Sequence, residues 1–308
     1  MIAETLSITD LEIRNCKTPV IEEPEAHIHP QLQRVLYSTL AAKPFQAILS
    51  THSTHISSLA SLKSFITLTN DGTTATASCV PATDASLTSR ETADLDRYLD
   101  ATRSTLLYAR KVMLVGGPSE MFLIPALVKK VMEVDLDRHG VTVVPIYGTH
   151  FKAYAKLFGH NALRKKCAIV CDGDLKPDEV GAGVKEDDFL AEYTLDVDKD
   201  DFVQVFQCPV TFERAMTVEG TLPMFLEAIK ECEYPQRTLR LEDGIERLNE
   251  EEDEQEREQV LSEMRQIVLN AATDCSKGRF AQIVSKHVGH ATQVPTYIRE
   301  AVEWLLEE

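Results

Sequence analysis

Apolar and polar positions follow two different periods along this chain. From Gln31 to Lys43 the string QLQRVLYSTLAAK puts Leu32, Val35, Leu36 and Leu40 on one face of a 3.6-residue repeat, which predicts an amphipathic helix. Short apolar runs predict strands at 46–50 (QAILS) and Phe65–Thr69. Residues 70–93, rich in Thr, Ser and Ala and carrying Asp71-Gly72, predict a hairpin or loop, and a helix is expected over Thr92–Ala109. From Lys111 strands and helices alternate. Val112–Val115 meets Gly116-Gly117-Pro118 and a helix over Ser119–Val134. Val141–Pro145 is followed by a helix near Lys152–Leu163, Cys167–Cys171 runs into Asp172-Gly173-Asp174, and Phe202–Phe206 follows. Such alternation implies a parallel sheet with right-handed crossovers and ligands at the carboxyl ends of its strands. The remainder reads as helices at Leu222–Cys232, 245–271, Gly278–His287 and Pro295–Leu306. In the longest, Val260, Leu261, Met264, Ile267 and Val268 share an apolar face.

Composition narrows the class. A chain of 308 residues, 44% hydrophobic and 26% charged, has the make-up of a folded protein of about two domains. No apolar run approaches the roughly 18 residues of a membrane-spanning helix, and the first twenty residues contain no signal-peptide core, so no membrane association is expected. Seven cysteines, an odd and scattered set without a CxxC pair, argue against a disulfide framework or zinc ribbon and fit a reducing, cytoplasmic location. The net charge is -17, but residues 241–258 (LEDGIERLNEEEDEQERE) hold ten Asp/Glu and two Arg and so supply -8 of it. That run reads as a solvated helix face. Carboxylates elsewhere can bind metal ions, which reverses the local sign for a phosphate substrate.

Two constellations carry candidate chemistry. Residues 20–30 read VIEEPEAHIHP, and STHS follows a strand at 50–53. An acidic pair after a strand can hold Mg2+-bound water, and a His at the end of the next strand can sense a γ-phosphate. A charged loop before a helix gives the same string. Downstream, Asp172 and Asp174 lie two apart at a strand end, so both carboxylates face one way. Such a pair holds Mg2+ through one or two carboxylates, and it is equally good turn chemistry. Glu120 falls at the third helical position if Gly117 caps and Pro118 opens the helix; it caps the helix there, faces a ligand, or does both. The histidines, His27, His29, His139, His150, His160, His287 and His290 among them, show no metal-ligand spacing. Lys129-Lys130 and Arg164-Lys165-Lys166 are small basic patches that can touch DNA phosphates or simply coat the surface.

The first constellation resembles the second half of an ABC-type ATPase head. The resemblance places Glu22 and Glu23 at the Walker B end, Glu25–His29 at the D-loop, and His52 at the switch histidine. No GxxxxGK[ST] loop and no signature helix precede the acidic pair, so ATP is expected to bind only if the missing half is supplied. The chain is expected to be the C-terminal part of a longer protein or a truncated form of one. The second constellation resembles the Toprim domain, in which an E-G-x-x-E turn is followed by D-x-D two strands later. The two together, over about residues 20–308, resemble the OLD (overcoming lysogenization defect) nucleases, which join an ABC ATPase to a C-terminal Toprim nuclease. One departure is plain: the string is LVGGPSE, with Gly116 where the pattern has Glu. The resemblance implies that Thr211-Phe212-Glu213 supplies a further metal carboxylate, with Glu219 of Thr217-Val218-Glu219 its rival. It also implies that Lys277 of Lys277-Gly278 stabilises charge on phosphoryl oxygens.

The expectation is therefore an α/β chain: a partial ABC-type ATPase head over 1–105, a Rossmann-like parallel-sheet Toprim domain over 106–220, and a helical subdomain over 221–308. The expected activity is metal-dependent DNA cleavage with two Mg2+ or Mn2+ ions, Glu120, Asp172, Asp174 and Glu213 as ligands, and Lys277 assisting. DNA is the expected substrate, and a homodimer through the ATPase part the expected assembly. The alternatives are a catalytically inactive DNA-binding or regulatory Toprim module, or a primase or topoisomerase fragment. One prediction follows from the missing phosphate loop. This chain alone should release no phosphate from ATP; turnover that disappears in Glu23→Gln would contradict it.

Overall fold

The computed structural model describes residues 18–70, 76–85, 87–148, 150–159, 162–173, 202–208 and 210–307. Near the start, β1 (Val20–Glu22) pairs in parallel with β2 (Ile48–Ser50) across α1 (Pro30–Ala41). Pro30 opens α1 with its φ preset, and the His29 ring accepts the Gln31 amide as its cap. After the short helix α2 (Thr54–Ser57), β3 (Thr67–Asn70) and β4 (Thr76–Cys79) form an antiparallel hairpin, one of the two forms expected for this stretch. Next come α3 (Pro81–Asp84) and α4 (Ser89–Tyr98). The helix expected over Thr92–Ala109 is displaced. Thr88 and Glu91 close a capping box that starts α4 earlier. The Asp100 carboxylate then takes the Thr102 and Arg103 amides, opening a separate short turn over Arg103–Leu107.

The centre of the molecule is a four-stranded parallel sheet in the order β6-β5-β7-β8, formed by β5 (Lys111–Val115), β6 (Val141–Pro145), β7 (Cys167–Asp172) and β8 (Val203–Cys208). Both faces are covered, so β5 and β7 are buried nearly throughout rather than alternating. Met113, Val115, Ala168 and Val170 pack on one side with Leu123, Phe225 and Phe280. Val112, Leu114 and Ile169 pack on the other with Leu95, Tyr154 and Leu157. Helix α5 (Pro118–Val131) connects β5 to β6, and α6 (Phe151–Ala155) follows β6. The helix expected near Lys152–Leu163 is thus a single turn. Gly159, at φ 144, leaves the helical region and lets the chain fold back so that its amide bonds Leu163.

The C-terminal third is helical: α7 (Phe212–Met216), α8 (Leu222–Glu231), α9 (Pro235–Glu250), α10 (Glu254–Cys275), α11 (Lys277–Lys286) and α12 (Thr296–Leu306). The long helix expected at 245–271 is two helices. Apolar spacing runs on from Leu241 and Leu248 to Val260, but the Glu251 carboxylate takes the Glu252 and Asp253 amides, and Asp253 caps the next helix through Gln255 and Glu256. The acidic run therefore spans a helix corner. The N-terminal elements join the sheet region through Tyr108, whose hydroxyl reaches Ser57 Oγ (3.1 Å) and the Ser53 carbonyl (3.4 Å). Among the described residues no helix is long and apolar enough to cross a membrane.

The corner gives a direct test. Asp253→Ala removes an acceptor for two end amides and should cost about 1 kcal/mol in urea unfolding, with Asp253→Asn retaining most of that. Equal midpoints for all three chains would show that the cap does not set the corner.

Candidate metal-binding active site

Strand order fixes where a ligand fits. The connection from β5 goes to one neighbour, β6, and the next strand, β7, lies on the other side of β5. The crevice of such a sheet opens at the carboxyl ends of the strands where the order reverses, here β5 and β7. β5 delivers Gly116-Gly117 to that edge and β7 delivers Asp172.

Glu120 is the third residue of α5, with Gly117 as cap and Pro118 first. Its carboxylate curls back onto the amides of Gly117 and Glu120 itself, so it does cap the helix. It also faces the crevice: Oε1 stands 3.0 Å from where a Cβ on Gly116 would be. The side chain is buried. Burial first, then the charges of Asp172 and Glu213, push its pKa up from 4.5 to about 7.

Asp172 Oδ2 accepts the Phe212 amide at 3.1 Å, which fastens the end of β7 to the start of α7. Glu213, the next residue, is thereby turned inward and is only 5% exposed. Lys277 Nζ meets Glu213 Oε2 at 3.0 Å. Lys277 reaches the site because α11 lies close against α5: a Cβ on Gly278 would stand 3.2 Å from Pro118 Cβ. The structure thus brings Glu120, Asp172, Glu213 and Lys277 together. Glu219 instead pairs with Arg257 at 2.6 Å on the exposed surface. Asp174 lies outside the described residues. Among the described residues no three or more His, Cys, Asp or Glu side chains form a ready-made metal cage.

Sequence reasoning missed Tyr297, at the start of α12. Burial, together with the nearby Cys208, Glu120 and Asp172, holds its phenol well above the ordinary range and so protonated. A tyrosine in an apolar helix pattern gives no sign of such a location. The basic patches have structural work. Lys129 pairs with Asp135 at 2.7 Å, Lys165 donates to the Leu107 carbonyl, and Lys166 to those of Trp304 and Glu307.

At the N-terminal site, Glu22 ends β1 opposite Ser50. Glu23 follows in the left-handed region (φ 40) and comes within 3.9 Å of His52, both side chains being exposed. Glu25, which the resemblance placed at the start of the D-loop, organises the loop of His52. Its Oε1 accepts Thr51 Oγ1 (2.8 Å) and the His52 amide (2.7 Å), fixing the loop that carries His52.

Residues 107–174 match the family described as "Overcoming lysogenization defect protein-like, TOPRIM domain". Residues 14–58 match "AAA domain, putative AbiEii toxin, Type IV TA system". No curated protein matches the chain. Similar solved structures include the C-terminal region of the Burkholderia pseudomallei OLD protein, 25% identical, with a TM-score of 0.43 over 64% of this chain and 96% of that one. The C-terminal region of the Xanthomonas campestris pv. campestris OLD protein is 26% identical, with a TM-score of 0.46 over 65% and 94%. The chain is thus similar to OLD-like Toprim domains over residues 107–174 and, over 14–58, to an AAA ATPase domain.

Proposed function

We propose that the chain is a Toprim nuclease that hydrolyses DNA phosphodiester bonds with Mg2+ or Mn2+, with Gly116 leaving its site one carboxylate short. The observation that carries this is the convergence of Glu120, Asp172 and Glu213, with Lys277, at the crevice between β5 and β7. All three donors are oxygen atoms, which suits a hard divalent cation. Burial first, and then the charges of Asp172 and Glu213, raise the Glu120 pKa, and a bound cation offsets both by favouring the ionised carboxylates. Glu120, Asp172, Asp174 and Glu213 would hold the metal, which when bound supplies activation of water and charge neutralisation at the phosphate. Lys277 is placed to steady charge on the phosphoryl oxygens. Glu22, Glu23 and His52 would serve a nucleotide only once a phosphate loop is supplied, and the ATPase part would provide a homodimer contact. Among the described residues no cysteine forms a disulfide, which suits a reducing cytoplasm.

A second reading is a DNA-binding module without catalysis. It is favoured by one observation, that Glu120 Oε1 occupies the space a side chain at position 116 would enter. Plasmid nicking in Mg2+ or Mn2+ separates the two. Gly116 is not among the positive-φ residues, so its backbone accepts a side chain, and the flexible end of Glu120 has only to give way slightly. The wild type should nick weakly, Gly116→Glu should gain on the order of 100- to 10,000-fold, and Asp172→Ala should abolish the gain. If Gly116→Glu folds and binds metal yet leaves supercoiled plasmid intact, the nuclease reading is wrong.

Glu120 adds a pH signature. Folded Glu120 holds its proton up to about pH 7, whereas the unfolded chain releases it near 4.5. Its contribution to stability is complete below that lower value and is lost as pH rises to about 7. The change is on the order of 3 kcal/mol at 1.4 kcal/mol per unit. Glu120→Gln should remove that slope. Saturating Mg2+ should shrink it, because a cation favours the ionised carboxylate. Melting temperatures across this range check both, and a wild type as flat as Glu120→Gln would contradict the assignment.

A further inference from the structure

Tyr147 stands two residues beyond the end of β6, with 51% of its surface exposed. Its backbone is left-handed, with φ 54. A tyrosine holds that conformation only where its surroundings impose it, and such positions gather at functional sites. Arg103 is the neighbour that packs on its ring. Its guanidinium lies 4.9 Å from the Tyr147 ring centroid. Arg103 is itself fixed, donating Nη1 to the Tyr98 carbonyl (2.7 Å) and Nε to that of Pro145 (3.3 Å), and pairing with Asp100 (3.5 Å). Beside it the rings of Tyr98 and His150 stack within 6° of parallel, centroids 6.3 Å apart.

This aromatic group borders the carboxylate crevice. The Gly148 amide bonds the Gly116 carbonyl at 3.3 Å, so Tyr147 adjoins the turn that carries position 116. β6 and β7 flank β5, which puts their ends roughly 10 Å apart at ordinary strand spacing. Glu120, Glu213 and Lys277 come from helices on one side of the sheet, while Tyr98 packs with the core on the other. The crevice therefore has an acidic wall and an aromatic wall. The other large exposed apolar side chains among the described residues (Val20, Val35, Ile48, Ile66, Leu68 and Leu239) are aliphatic, and none is on a strand or turn of the central sheet.

We infer that Tyr147, supported by Arg103 and flanked by the Tyr98–His150 pair, is a stacking platform for an unpaired nucleobase of a DNA strand entering the crevice. The inference takes its ligand from the nuclease reading. Bases within a duplex already have both faces covered, whereas an unpaired base offers a π-face to a tyrosine whatever its identity. The platform thus selects single strands, ends or flipped bases and is indifferent to sequence.

The test is binding, measured apart from cleavage. Fluorescence anisotropy in Ca2+ compares a labelled single-stranded oligonucleotide with its blunt duplex. Tyr147→Ala should weaken single-strand binding by about 5- to 100-fold, with less than a twofold change for the duplex, and Tyr147→Phe should bind like the wild type. His150→Ala should give a smaller loss in the same direction. A strand carrying a fluorescent base analogue, read on the wild type, keeps the test open should Tyr147→Ala not fold, because stacking quenches the analogue. No single-strand binding by the wild type, unquenched analogue, or equal losses on both DNAs would overturn the platform. Nicking distinguishes the two readings: single-strand binding that depends on Tyr147 without cleavage by Gly116→Glu would sink the nuclease and leave the platform standing.

Discussion

The chemistry of this chain depends on a sheet buried on both faces. Val112 through Val115 and Cys167 through Val170 are almost wholly withdrawn from water, and an unpaired polar side chain among them would cost several kcal/mol. Charged groups are therefore driven to the carboxyl edge, where strands stop and loops turn. At that edge Glu120, Asp172 and Glu213 accumulate like charge, and Lys277 offsets only part of it. Some of the remainder is absorbed by the proton that Glu120 keeps to about pH 7. A cluster of this kind strains the fold unless it is useful, which is why a strongly shifted acid in a crevice points to function.

The edge is held in register by two close contacts. Asp172 spends one oxygen on the Phe212 amide, so the strand end also sets the start of α7 and with it Glu213. Gly278 has no side chain to hold α11 away from Pro118, so the first residue of α11, Lys277, arrives beside α5. The same α5 terminus is capped by Glu120. The cap and the helix contact meet at the same first turn of α5, at Glu120 and Pro118. Gly116 lies inside this arrangement, with Glu120 turned into the space it leaves.

Much of this was legible in the sequence because the strands are short, apolar and separated by clear punctuation. Gly116-Gly117-Pro118 and Asp172-Gly173 mark strand ends by residue type alone, and the 3.6 period marks α1 and the apolar face of α10. The failures have physical causes. Apolar spacing continues across Glu251–Asp253, so period alone does not see the break between α9 and α10; side-chain capping by Asp253 makes it. The helix expected at Thr92–Ala109 fails for the same reason, at Thr88 and Asp100. Tyr297 was invisible because its role comes from packing beside Cys208 at the end of β8, a tertiary fact. Lys165 and Lys166 left surface and phosphate contact both open; their ammonium groups go to backbone carbonyls that no local pattern announces.

The N-terminal segment is joined to this edge through a short length of chain. Glu25 fixes the loop of His52, and the His52 ring lies 6.1 Å from that of Tyr108. The Tyr108 hydroxyl holds Ser53, the cap of α2, and Ser57, its last residue. Three residues later β5 begins, and it ends at the turn of Gly116. A shift of the His52 loop would thus press on the strand that carries one lip of the crevice, and β5 is too tightly packed on both faces to absorb a displacement within itself.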